Sequence, residues 1–376
     1  AARDISAAGW VRSAGEILVV HEPESSGIER LRVLPERVRQ HLFAFLSQHF
    51  ERDVAGMYQA LLTGSLANVR PALIEAFKAN GCFHVLSISG LHFSLLGLFS
   101  VGLWTLLLKR SQWLLLHTHV PTLALVLTAP VLLFYTGIAG MNIPAVRALI
   151  TALLVLFAAV LRRQRSFGPL IAAAALIVLG VSPLALFTAS FQLSFAAVLA
   201  INLIYPRLPA LNVDPRDGWP RRALALVQSL LLVSVAATLG TLPFMLHHFN
   251  RLSLIGPLAN LVIEPLLCLW ALPCGLLAIP FVGVAPGVAV LLFNLGNGGL
   301  RLALWLTELT GALPWASVWT ITPNALEIIL FFAMLALLLG PGATRRHRMA
   351  ALALFVLLAG SFTRSLWPGV GARETL

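Results

Sequence analysis

The sequence predicts an all-α polytopic membrane protein of about 8–10 transmembrane helices, several of them broken, with a short β remnant at its N-terminus. Three observations predict it. Of 376 residues, 59% are hydrophobic and 11% charged, whereas a soluble domain carries roughly 25% charged residues; mean hydropathy is +0.88. The apolar residues gather into runs long enough, or nearly so, to cross a hydrocarbon core of roughly 30 Å. Lys and Arg gather in alternate loops between those runs.

The elements follow in order. Residues 1–34 read as short strands around turns at Gly15 and Ser25–Gly27, too short for a domain and expected to be the tail of a β-domain outside the membrane. The first residue is not Met, and the chain is read as part of a longer protein. Residues 35–80 are expected to form amphipathic, interfacial helices. Val38, Leu42, Phe45, Leu46 and Phe50 recur at three- and four-residue spacing, which suits a helix lying on a membrane or packed on a neighbour. Pro71 opens a later short helix. Residues 81–367 form the transmembrane domain, with candidate spans at 85–108, 120–138, 143–161, 168–181, 187–205, 223–243, 257–279, 285–306, 324–340 and 349–367. Residues 368–376 are a tail. Breaks near Pro130, Pro265, Pro273 and Asn294–Gly299 need protein or water beside them to take up the freed backbone groups.

Net charge is +11, from 26 Lys+Arg against 15 Asp+Glu. Lys109–Arg110, Arg162/Arg163/Arg165, Arg207 to Arg222 and Arg345/Arg346/Arg348 fall on one side of the span alternation, whereas the loops at 139–142 and 182–186 hold no Lys or Arg. The basic loops are therefore expected in the cytoplasm and residues 1–80 outside. Contact with polyphosphate is a second use for the same excess.

Polar groups at membrane depth are costly unless they face protein or water, so they mark candidate sites. The segment Cys82–Gly97, CFHVLSISGLHFSLLG, concentrates them in His84, Ser87, Ser89, His92 and Ser94, with a glycine at Gly90. Arg147, one turn into its span after Asn142, is either a fixed charge on an anion path or a snorkelling side chain. Glu264, before Pro265, needs a partner or a proton; Asn260 lies one turn earlier. Gln192 and Ser194, in FQLSF, can bond neighbouring helices or line a pore. There is no G-x-x-x-x-G-K-[ST] and no HExxH. Cys82, Cys268 and Cys274 make no zinc pattern. Ser87-Ile-Ser89-Gly90 leaves an intramembrane serine protease open, with Ser89 as nucleophile and a base from another span, of which only His247 and His248 are placed near enough to a membrane edge. A secondary transporter of a small anion is also open.

HVLSISGLHFSLLG (84–97) resembles the signature of the ComEC competence-channel family. Four more pieces resemble that family in the same order: ALLTGSLANVRPALIEAFKANG (60–81), NIPAVRALI (142–150), SPLALFTASFQLSFAAV (182–198) and LIGPLANLVIEPL (254–266). The resemblance covers roughly residues 35–340. Phe93 departs from it, standing where a small residue or Val is common.

The resemblance implies a multi-pass bacterial inner-membrane channel that passes single-stranded DNA into the cytoplasm during natural transformation. Its expected partners are single-stranded DNA, membrane lipids, a periplasmic DNA receptor, and a cytoplasmic helicase, translocase or single-strand-binding protein. Residues 1–34 would then be the tail of an OB-like domain. A metallo-β-lactamase-like domain is expected after the spans in the family, but this chain contains no H-x-H-x-D-H. No enzyme activity, cofactor or metal is therefore expected of it. A DNA path needs sparse positive charge, small residues and aromatic rings for stacking. His84, Ser87, Ser89, Gly90, His92, Asn142, Arg147, Gln192, Ser194, Asn260 and Glu264 are the expected lining, and Phe83, Phe93 and Trp104 the expected stacking rings.

Overall fold

A computed structural model describes residues 27–161, 167–209, 211, 214, 217–320, 322–339 and 344–365. The chain is helical almost throughout. In order come α1 (Gly27–His49), α2 (Arg52–Thr63), α3 (Pro71–Ala79), a 3-10 turn (Phe83–Leu86), α4 (Gly90–Leu108), α5 (Gln112–His117), α6 (Val120–Ile138), α7 (Ile143–Val160), α8 (Phe167–Val181), α9 (Ala189–Ile204) and α10 (Trp219–Phe249). There follow β1 (Arg251–Ser253), α11 (Gly256–Pro265), α12 (Leu272–Ala278), α13 (Pro286–Gly311), β2 (Ser317–Trp319), α14 (Ala325–Leu339) and α15 (Arg345–Ser365). β1 and β2 pair antiparallel, Leu252 opposite Val318.

Among the described residues, seven helical stretches are long and apolar enough to cross a membrane: α4, α6, α7, Ala189–Arg207, α10, Gly256–Phe281 and α13. Gly168–Val181 and Ala325–Leu338 are shorter apolar helices. The expected span at 349–367 falls largely in α15, which begins with charge at Arg345 and is not among the seven. The Gly256–Phe281 stretch is not one regular helix. Pro265 removes a backbone donor, and Leu266–Ala271 winds as a π-helix between α11 and α12.

The β remnant expected at 1–34 lies outside the described residues up to residue 26. From Gly27 onward the chain is already helical, so residues 27–34 correct that expectation. SSGIERLRVLPERVRQ carries a helix-start serine ahead of helix-forming Glu, Arg and Leu, and the amphipathic pattern simply extends back through Pro35.

The packing separates two units. Unit 1 holds residues up to Asn68, Ser87–Arg165 and Leu272–Gly296. Its centre is α2, in which every residue from Val54 to Thr63 is buried. Leu42, Phe45 and Leu46 of α1 are also buried, so the apolar stripe read from the sequence packs on protein. The Tyr58 ring meets Phe293 edge-on at 4.9 Å, and its hydroxyl donates to the Phe293 carbonyl at 2.8 Å. That bond satisfies the one polar atom of an otherwise apolar core residue.

Unit 2 holds Val69–Leu86, Ser166–Ala271 and Asn297–Leu376. Its tightest crossing is α9 on α10. A Cβ added at Gly240 would lie 2.0 Å from the Ala200 Cβ and 3.1 Å from the Ala196 carbonyl. Small residues let the two backbones approach where lipid supplies no hydrophobic drive between helices. Outward faces of α4, α9 and α10 remain apolar, as at Leu103, Leu203 and Leu226, which suits hydrocarbon as solvent. Gly240→Leu is expected to destabilise the protein by about 1–3 kcal/mol through overpacking. Gly97→Leu, where a Cβ meets nothing within 4 Å, should be close to neutral. Thermal unfolding of both variants in detergent micelles measures the difference.

Candidate functional site

The signature turn of unit 1 is built on the C-terminus of α2. A helix leaves its last four carbonyls without partners, and here they are buried. Gly64 ends α2 in the left-handed conformation, at φ 73°, and its N–H bonds the Ala60 carbonyl. The Leu61 carbonyl accepts from His92 Nε2 at 2.9 Å, and the Leu62 carbonyl accepts from the Tyr135 hydroxyl at 2.9 Å. Residues from α4 and α6 thus cap α2 from the side.

His92 also closes its own helix. Ser89 is the N-cap of α4 and His92 the third helical residue, and the Ser89 N–H donates to His92 Nδ1 at 3.2 Å. Nδ1 accepts that proton and Nε2 donates to a carbonyl, so the ring is the neutral Nε2–H tautomer. Ser89 Oγ lies 3.1 Å from the same Nδ1. Asn142 makes the matching cap on α7, with Oδ1 accepting from the Ala145 N–H at 3.0 Å and Nδ2 donating to the Ala139 carbonyl at 3.1 Å. A Cβ on Gly64 would sit 3.4 Å from Asn142 Nδ2 and 3.5 Å from Ile88. The LLTGS, SISG and NIPA pieces therefore meet at one place.

Of the other residues expected in unit 1, Ser87 is half-buried and its side chain makes no hydrogen bond among the described residues. Gly90 is exposed, and a Cβ there would meet nothing within 4 Å. Arg147 is half-buried on α7, and its carbonyl accepts from Thr151. Two expectations need correcting in this conformation. His92 is 0% exposed and serves as a cap, so it lines no open surface. Phe93 is 1% exposed and packs edge-on against Tyr135 at 5.6 Å, so neither face is free for a base. Trp104 is half-buried, with its indole N–H unpartnered among the described residues.

In unit 2 a second polar cluster joins the segment before α4 to α11. Cys82 Sγ donates to Asn260 Oδ1 at 3.1 Å, and Asn260 Nδ2 donates to Ser234 of α10 at 3.3 Å. His84 Nε2 stands 4.0 Å from Glu264, both partly exposed. Burial first, then the Glu264 carboxylate and Cys268, push the Cys82 thiol up to about 12, so it stays protonated and donates. Phe83 is half-buried with Lys78 5.9 Å over its ring. Gln192 Oε1 lies 2.7 Å from His248 Nε2, while Ser194 is half-buried. Beside this cluster, Glu75 accepts from Lys78 at 2.6 Å and Arg251 at 3.2 Å; the Lys78 hydrogen bond foremost holds its carboxyl below the usual range. Among the described residues no three His, Cys, Asp or Glu side chains are grouped to hold a metal ion.

The expected residues thus divide between the two units. Ser87, Ser89, Gly90, His92, Asn142 and Arg147 belong to unit 1, and His84, Gln192, Ser194, Asn260 and Glu264 to unit 2. Sequence reasoning missed Gly64 and Tyr135. Gly64 had a signal, a glycine directly after a helical run; Tyr135, inside an apolar run, had none.

His92→Ala orphans the Leu61 carbonyl and the Ser89 N–H, each at about 1–3 kcal/mol. Tyr135→Phe orphans only the Leu62 carbonyl and should cost about half as much. Thermal unfolding in micelles checks the order of the two losses; equal stability of all three proteins would refute the cap.

The chain matches the family model described as Competence protein over residues 61–344. It is 27% identical over 333 residues to ComE operon protein 3 of Bacillus subtilis, covering 88% of this chain and 39% of that protein. It is 25% identical to Recombination protein 2 of Haemophilus influenzae, over 85% of this chain and 40% of that protein. To Competence protein ComA of Neisseria gonorrhoeae it is 29% identical, over 77% and 39% respectively. It therefore spans about two-fifths of the length of these relatives. No solved structure matches it. The motif pieces at 84–97, 142–150, 182–198 and 254–266 lie inside the matched region, and the piece at 60–81 begins one residue ahead of it; the chain belongs to the competence protein family.

Proposed function

We propose that this chain forms the path by which single-stranded DNA crosses the bacterial inner membrane during natural transformation, with residues 1–80 on the outer side. Family membership supports the competence role. One observation carries the finer reading: the signature turn is rigidly capped on one side and open on the other. Ser87 makes no side-chain hydrogen bond among the described residues, and Gly90 faces open space. A fold that used this turn only for packing would have no reason to leave both uncommitted. A sugar-phosphate backbone passing a Ser–Gly edge meets small, polar, immobile groups, which hold no strand tightly. Arg147, on α7 of the same unit, supplies one charge, and sparse charge lets a polyanion leave as well as enter. Driving force, DNA delivery and any nuclease come from partners or from regions beyond the match: a periplasmic receptor, and a cytoplasmic helicase, translocase or single-strand-binding protein.

Deleting the gene in its host and following fluorescent transforming DNA tests the reading. DNA should reach the periplasm, stay out of the cytoplasm and yield no recombinants; normal transformation overturns it. In the complemented strain, Arg147→Ala should lower recombinant yield about tenfold at unchanged membrane abundance, the loss expected when one phosphate contact of about 1–2 kcal/mol is removed.

The Ser89–His92 contact also gives the protease reading a geometry. Ser89→Ala separates the two. A path tolerates it, because the His92 bond to the Ser89 N–H survives; a nucleophile does not. Gly90→Trp should do the reverse, folding into open space and blocking the strand.

A further inference from the structure

Unit 1 contains an open groove of about 570 Å³ between α1, α4, the second half of α6 and the turn after α12. Its walls are apolar: Leu96 of α4, Val131 and Phe134 of α6, and Leu276 with the turn after α12. Arg37 and His41, one turn apart on α1, stand at its edge and are exposed. The neighbouring acid is committed elsewhere, since Glu36 accepts from Arg39 at 2.7 Å and from Gln40 at 3.2 Å. Among the described residues neither Arg37 nor His41 has an ion-pair partner.

We propose that this groove binds one anionic phospholipid, an acyl chain along the apolar walls and the phosphate at Arg37 and His41. Placement argues for a lipid. The α6 wall runs from Ile138, the last residue of that helix, inward to Val131 near its middle, the course of an acyl chain descending from headgroup level into hydrocarbon. Pro35 of α1 lies against Gly137, one residue before the end of α6, so the polar edge of the groove is at that end of the helix. Charge complementarity selects the headgroup. A guanidinium presents paired N–H donors to phosphate oxygens, and an imidazole N–H one turn along the helix adds a third. A zwitterionic lipid keeps the phosphate but brings its own cation, so it gains less. The inference needs only the membrane character of the chain, and it stands whether or not DNA passes through.

Native mass spectrometry of the purified chain, titrated with dioleoyl phosphatidylglycerol and separately with dioleoyl phosphatidylcholine, tests it. Phosphatidylglycerol should bind more tightly by about fivefold, the contribution of one Arg. Arg37→Gln with His41→Gln should abolish the preference and leave weak binding of both lipids. Val131→Trp, which fills the groove and keeps both Arg37 and His41, should weaken both lipids together. Equal binding of the two lipids by the wild-type chain overturns the headgroup assignment. A preference that survives the double variant, or competition by glycerol phosphate alone, overturns the groove as its origin. Crosslinking of residues 1–26 into the groove, with no lipid retained, assigns it to this chain's own N-terminal segment instead.

Discussion

Unit 1 depends on how the end of α2 is satisfied. This helix is buried along its whole second half, yet its last carbonyls cannot bond within the helix. Left bare, each would cost about 1–3 kcal/mol. Three donors meet that demand, from a glycine that turns left-handed, a histidine on α4 and a tyrosine on α6. Each donor fixes the element that carries it. His92 sets where α4 begins, because the same ring accepts from Ser89. Tyr135 sets the depth of α6 against α2. The order of the first membrane helices thus follows from a hydrogen-bonding requirement, which in hydrocarbon is stricter than any preference among apolar contacts.

The same requirement explains why polar residues cluster where they do. Asn142, Ser89 and Thr188 are N-caps of α7, α4 and α9 and sit against backbone N–H groups there. Asn324 and Glu327 exchange reciprocal bonds at the start of α14, and Glu327 also receives Ser361 of α15. A carboxylate inside an apolar stretch is thereby occupied in closing a helix and joining it to its neighbour. Polar residues read from the sequence as one class therefore separate into two. Those whose bonds are filled by helix ends serve the fold; those whose bonds are open are the candidates for contact with a substrate.

This separation marks the limit of what the sequence disclosed. The membrane class, the α1 stripe of Leu42, Phe45 and Leu46, and most helix positions were legible, because hydropathy and 3.6-residue periodicity are local. So were the motif pieces. The role of His92 was not legible, since the carbonyl it meets belongs to Leu61, thirty-one positions away. Phe93 looked like a stacking ring by composition, but burial depends on Tyr135, which nothing local foretells. The break at Pro265 in the span at 257–279 was legible, because proline's missing donor is local; that the chain answers it with a π turn at Leu266–Ala271 was not.

If the proposed function holds, the uneven commitment of polar groups bears on how a strand would pass. A path through a membrane must be wet enough for phosphate, yet its walls must not collapse around water. Collapse is resisted by walls whose backbone is already satisfied internally, which is what the caps at Gly64, Ser89 and Asn142 achieve. Because those bonds are made within the protein, water or phosphate on the open side need not replace them, and their arrival or departure leaves the turn unchanged. A rigid turn with a few uncommitted groups, Ser87 and Gly90, then offers interactions too weak to hold any one nucleotide. Any path for a polyanion needs such weakness, since each phosphate must be released before the next can take its place. By the same reasoning Glu75, bonded to both Lys78 and Arg251, belongs to the scaffold of unit 2. Its charge is already answered by these neighbours, so a phosphate would find little to bind there.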